Sequence, residues 1–75
     1  MTDMHLDLVE ERCPMSLLLV KRAFKQIEIG QLLSVRLVDK HSVSDVLQYL
    51  SIQNAAINHR IEGEVSVINI RKQDD

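Results

Sequence analysis

The chain has 75 residues, 45% of them hydrophobic, and a formal net charge of −2. A single domain of this size buries roughly 60% of the surface its unfolded chain exposes. Phe24 and Tyr49 are the only aromatic residues, so the core must be aliphatic and the stacking platforms of single-stranded nucleic-acid binders are missing. The slight acidity offers no bulk attraction to nucleic acid or anionic membrane, and no apolar run approaches the ~20 residues of a membrane helix.

In chain order, HLDLV from His5 to Val9 alternates apolar and polar residues, placing Leu6 and Leu8 on one face of a short strand. A polar connection, Glu10 to Arg12, leads to Cys13 and Pro14, the only cysteine and the only proline. Pro14 fits the first turn of a helix, where its missing N–H costs nothing. Leu17, Val20, Ala23, Phe24 and Ile27 then recur at helical spacing, with Gly30 marking the exit. QLLSVRLVD reads as a second strand, with Leu33, Val35 and Leu37 on one face. The second helix opens around Ser42, where Ser42-Val43-Ser44-Asp45 has the form of a capping box, and fades near Gln53 and Asn54. Val43, Val46, Leu47 and Leu50 share its apolar face. Ala55 to Ile61 and Val65 to Arg71 are strand-compatible runs joined by a hairpin turn at Glu62-Gly63-Glu64. Ile68 and Ile70 should point inward and Val65 and Val67 to the opposite face.

This order, β-α-β-α-β-β, predicts a two-layer α/β sandwich. Right-handed crossovers put both helices on one face of a mixed four-stranded sheet, leaving the other face open. Residues 1–75 form a single domain with an ordered core of about residues 5–71, and the closing RKQDD reads as a disordered tail.

One cysteine cannot form an internal disulfide, and the first residues, MTDMHLDLVEE, lack the basic head and apolar stretch of a signal peptide. The expected address is cytoplasmic and reducing. With Pro14 as first helical residue, Cys13 becomes the N-cap and its sulfur lies near the N–H groups of Met15 and Ser16. Helix N-termini lower cysteine pKa values from ~8.5; Arg12 adds to that effect, and Glu10 and Glu11 oppose it. On the residues alone, an inert thiol at an ordinary helix start is as good a reading. His5, His41 and His59 show no ligand spacing to Cys13 or to one another, so no metal site is expected. Lys21, Arg22 and Lys25 form either a solvated helix face or a docking patch for an acidic partner. Leu18 lies across the helix from the core stripe, on the face of Arg22 and Lys25, one turn from the sulfur.

LDLVEERCPMSLLLVKRAF followed by the IGQLL strand resembles the TusA/SirA-like sulfur carrier family, whose members begin with an LDxxGxxCPxPxxxxxxAL-type stretch. The resemblance runs from Leu6 to about Arg71 and implies the same β-α-β-α-β-β sandwich. It also implies that Cys13 carries a persulfide, without bound cofactor or metal. Sulfur would come from a donor protein such as a cysteine desulfurase and pass to an acceptor protein. In one branch it ends in tRNA thiolation; other branches serve molybdenum-cofactor assembly, sulfur oxidation or selenium metabolism. On this reading Arg12, Pro14, Met15 and Ser16 support the thiolate, and Leu18, Lys21, Arg22 and Lys25 dock the partner, with no direct contact to nucleic acid or membrane. Two departures stand out: Ser16 replaces the family's second proline, and the glycine before the motif is absent. Two other classes stay open, a thiol redox or peroxide sensor and an interaction module with a dispensable cysteine. The lack of a resolving cysteine argues against disulfide cycling within the chain.

Overall fold

A computed structural model describes residues 3–73. The elements run β1 (Met4–Asp7), α1 (Met15–Gln26), β2 (Leu32–Leu37), α2 (Lys40–Ser51), β3 (Ala55–Glu62) and β4 (Val65–Lys72). They form the expected two-layer sandwich. The sheet has the order β1-β2-β4-β3. β1 pairs with β2 in parallel, and β4 is antiparallel to both β2 and β3, so β3 runs parallel to β2. Each helix is therefore the crossover between two parallel strands, and both begin at the same end of the sheet.

The core follows the side-chain periods. Leu33, Val35 and Leu37 alternate inward from β2, Ile68 and Ile70 from β4, and all are fully buried. Val20, Ala23 and Phe24 from α1, Ile27 just beyond it, and Val46 and Leu50 from α2 close over them in one cluster. Leu6, Leu17, Leu19, Val43 and Leu47 are partly buried against it. The Phe24 and Tyr49 rings meet edge to face at 6.3 Å, an arrangement favoured by the aromatic quadrupole. In the β3–β4 hairpin Glu62 pairs with Val65. Gly63, first of the two loop residues, has φ +63°, which the primed hairpin turns require.

Several boundaries depart from the sequence reading. α1 ends at Gln26, and Ile27 is already extended; Gly30, with φ +87°, shapes a later turn that donates its N–H to the Lys72 carbonyl. α2 starts at Lys40 with Asp39 as N-cap, so Ser42 lies inside the first turn and does not cap it. The expected disordered tail contains ordered residues. Arg71 and Lys72 complete β4, and Lys72 donates to the Phe24 and Ile27 carbonyls at the end of α1 while its ammonium sits over the Phe24 ring. A cation there complements the helix C-terminus; Asp74 and Asp75 lie outside the described residues. Val67, on the face away from the helices, is nevertheless buried. It stands in register between Arg36 and Arg60, long side chains whose stems can shield an apolar neighbour. β3, at the sheet edge, is exposed along nearly its whole length.

The packing separates two α1 residues. Phe24 is 4% exposed and Leu18 49%. Truncating a buried aromatic costs about 3–5 kcal/mol, and truncating an exposed leucine usually within about 0.5. A domain this small has little stability to spare. Phe24→Ala is expected to leave the chain largely unfolded and Leu18→Ala to melt like the parent, as thermal denaturation followed by circular dichroism would show.

Candidate functional site

Because α1 and α2 start at one end of the sheet, the loop after β1 and the residues after β2 meet there. Leu8 anchors the first loop: its side chain is buried and its N–H bonds the Arg36 carbonyl of β2. Cys13 follows on that loop, partly exposed, with a cis peptide bond to Pro14. Asp39, two residues after the end of β2, is the N-cap that turns the chain into α2.

These segments are joined by a short polar network. Ser16 and Ser42, both fully buried, face each other between the helices. The Ser16 hydroxyl donates to Ser42 Oγ at 2.5 Å, and the Ser42 hydroxyl donates to Asp39 Oδ2 at 2.8 Å. That carboxylate also accepts the Cys13 backbone N–H at 3.4 Å. One turn further along α2, Asp45 Oδ2 accepts the Cys13 thiol proton at 2.7 Å. The thiol therefore lies beside two carboxylates of the neighbouring helix.

The consequence opposes the expectation of an activated thiolate. The Cys13 pKa is raised above the ordinary cysteine value, first by the hydrogen bond to Asp45, then by partial burial, then by the charges of Asp45 and Asp39. Hydrogen bonding to the neutral form and nearby like charge both disfavour the anion. The Asp39 carboxyl is held below its usual range, chiefly by the Ser42 hydroxyl. The expected donors are engaged elsewhere: the Ser16 N–H bonds the Arg12 carbonyl at 3.1 Å and its hydroxyl goes to Ser42. Helix α1 begins at Met15 with Pro14 as N-cap, one residue later than the reading that made Cys13 the cap.

Of the other residues singled out from the sequence, Arg12 and Pro14 are exposed beside the thiol. Met15 is 48% exposed and belongs with Leu18, Arg22 and Lys25 on the outer face of α1. Pro14, Met15, Leu17, Leu18 and Lys21 line an apolar hollow of about 300 Å³ next to Cys13. Lys21 is partly held by α2, its Nζ lying 5.2 Å from the Tyr49 ring centroid. Arg22 and Lys25 are exposed. His5, His41 and His59 lie on the surface, and the described residues contain no group of His, Cys, Asp and Glu placed to hold a metal ion. No described helix is long and apolar enough to cross a membrane.

Asp39 and Asp45 were missed by the sequence reading, which saw Asp45 only as a capping partner of Ser42. Their signal lay in topology. Two parallel crossovers starting at one end of a sheet set the first turn of the second helix beside the first turn of the first.

The model for the family described as sulfurtransferase TusA matches residues 4–72, spanning all six elements. The chain belongs to the TusA family. Its role is therefore of the sulfur-carrier type, with sulfur passed from protein to protein. The fold is also that of a SirA-like protein from Desulfitobacterium hafniense, at a TM-score of 0.78 and 15% identity. The likeness covers 95% of this chain and 99% of that one. No match was found among curated proteins.

Two outcomes follow from the geometry. The rate of Cys13 alkylation by iodoacetamide, measured against pH, should have its midpoint above that of a small model thiol, because the folded protein holds the proton more tightly. A midpoint below the model thiol would contradict the bond to Asp45. In the buried pair, Ser16→Ala removes one donor and should cost about 1 kcal/mol in urea denaturation. Ser42→Ala should cost more, about 1–3 kcal/mol, since it leaves a buried Ser16 hydroxyl without its acceptor.

Proposed function

We propose that Cys13 carries sulfur as a persulfide, accepting it from a persulfide-bearing donor protein and passing it to an acceptor protein. The observation that carries this reading is the position of Cys13 in a TusA-family chain. It lies partly exposed on a loop where strand meets helix, beside an apolar hollow that a protein partner can fill. In the loading step Cys13 Sγ, as thiolate, attacks the terminal sulfur of the donor persulfide. The Sγ–S bond forms, the donor S–S bond breaks, and the donor leaves as a thiolate that takes up the proton Cys13 gave up. The sum is one thiol and one persulfide exchanged for another such pair, with no net oxidation. No cofactor takes part in this exchange.

A cysteine desulfurase has the chemistry of the donor, and tRNA thiolation is one destination for the sulfur. The scarcity of aromatic residues and the net charge of −2 support delivery through an acceptor protein over direct RNA contact. A reducing compartment, such as the cytoplasm, keeps Cys13 available as a thiol. Peroxide sensing is disfavoured by the raised Cys13 pKa, because susceptibility to oxidation follows thiolate character. Leu18 and Met15, with Arg22 and Lys25 beyond them, form the docking face; Lys21 borders it.

With a persulfide-loaded donor protein, mass spectrometry should find one added sulfur on the parent and none on Cys13→Ser. Sulfur retained by the mutant would end the carrier reading. Leu18→Ala should accept sulfur normally from a small-molecule persulfide and slowly from the protein donor. Equal rates from both would remove Leu18 from the docking face.

A further inference from the structure

The contact between Cys13 and Asp45 joins two residues 32 positions apart, and it depends on a hydrogen atom that sulfur loading removes. A thiol has one S–H to donate. In a persulfide Sγ is bonded to Cβ and to the outer sulfur, so it carries no hydrogen, and the ionised outer sulfur is an anion. Asp45 Oδ2, 2.7 Å from Sγ, would then face sulfur with nothing to accept and a negative charge to repel. Asp39, whose carboxylate takes the Cys13 N–H, adds repulsion from the same helix. Glu10 and Glu11 lie in the sulfur's own loop, where Arg12 is the opposing charge.

Building on the carrier reading, we propose that Asp45 sets the direction of the relay: it stabilises the empty thiol by accepting its S–H and destabilises the loaded persulfide, so discharge to an acceptor, with protonation of Cys13, re-forms the Sγ–H···Oδ2 hydrogen bond. The exchange balances as before. In discharge the acceptor thiolate attacks the outer sulfur, the Sγ–S bond breaks, and the Cys13 thiolate takes up the proton released by the acceptor thiol. That proton is the one then shared with Asp45. The same contact opposes loading, so a donor must be the stronger persulfide or must draw the carboxylate away while docked. The loaded sulfur, lacking its tie to α2, turns outward from the partly exposed Cys13, where an acceptor reaches it.

The test is an equilibrium measurement. The full-length parent, Asp45→Asn and Asp45→Ala are each incubated at neutral pH with a fixed mixture of glutathione persulfide and glutathione, and the loaded fraction is read by intact mass. Alkylation of the unloaded proteins against pH is measured in parallel. Removing the carboxylate should raise the loaded fraction severalfold and lower the alkylation midpoint toward that of a small thiol. Asp45→Ala guards against a contact made by the new amide, and melting curves confirm that the variants are folded. A loaded fraction that stays level or falls in both folded variants overturns the proposal, as does an unmoved alkylation midpoint. If Asp45→Asn changes nothing while the parent loads normally, only the role of Asp45 is lost. A parent that takes no sulfur from this mixture or from a persulfide-loaded protein overturns the carrier reading and this proposal together.

Discussion

The site depends on a constraint of topology: both helices are crossovers between parallel strands and start at the same end of the sheet. Crossovers of this kind place loop chemistry beyond the carboxyl ends of the strands. Here they bring the first turns of α1 and α2 into contact, and the contact is close because serine fills it from both sides. Ser16 and Ser42 are too small to hold the helices apart, and the Ser16 hydroxyl donates to Ser42, whose own hydroxyl donates to Asp39. A buried hydroxyl without a partner would cost more than the pair returns. From that pair the network passes to Asp39 and the Cys13 N–H. The Cys13 end of the loop is thus tied to the helix interface as well as by the loop's own backbone bonds, such as the Glu11 N–H to the Leu8 carbonyl.

The same closeness reverses the electrostatics of the thiol. A helix N-terminus alone favours an anion, which is why a cysteine next to a helix start reads as activated. At Cys13 that influence competes with two carboxylates of α2, one of them hydrogen-bonded directly to the sulfur. Charge-assisted hydrogen bonds are roughly twice as strong as neutral ones, and a carboxylate rewards only the protonated thiol. The balance falls to the thiol form, raising the pKa. The replacement of the family's second proline by Ser16 belongs to this arrangement: a proline there would supply neither the N–H that bonds Arg12 nor the hydroxyl that bonds Ser42.

The layers, the element order and the inward residues of β2, β4 and both helices were legible in the sequence because they rest on local periods. Leu33, Val35 and Leu37 alternate, and Val20, Phe24 and Ile27 recur at helical spacing. Cys13 and Leu18 were likewise placed by local pattern, the one at a helix start and the other off the core stripe. What local pattern could not reach were contacts set by the tertiary arrangement. Asp45 looked like a capping partner of Ser42 because Ser-x-x-Asp fits that role, yet α2 begins at Lys40 and turns Asp45 toward Cys13. Val67 was assigned correctly to the face opposite the helices, but its burial between Arg36 and Arg60 follows from strand register. Lys72 looked like part of a polar tail, and only the return of β4 beside α1 gives its ammonium the carbonyls of Phe24 and Ile27.

A thiol with a raised pKa is compatible with carrying sulfur, and the two steps of the relay show why. Intrinsic nucleophilicity falls as thiol pKa falls, whereas a low-pKa thiol leaves more readily. A cysteine whose pKa is raised through its carbon framework would therefore be a good acceptor of sulfur and a reluctant donor. The Cys13 pKa is raised differently, chiefly through a hydrogen bond that requires the S–H, with partial burial and the charges of Asp45 and Asp39 adding to it. In the proposed relay the hydrogen-bond contribution is absent from the loaded state and returns once the departed Cys13 thiolate is protonated, so it favours the discharged state at equilibrium without stabilising the leaving thiolate. In that relay the apolar side of the thiol, formed by Pro14, Met15 and Leu18, would serve recognition, while the acidic side on α2 would respond to whether Cys13 is loaded. Two helix starts brought together at one end of a sheet supply both.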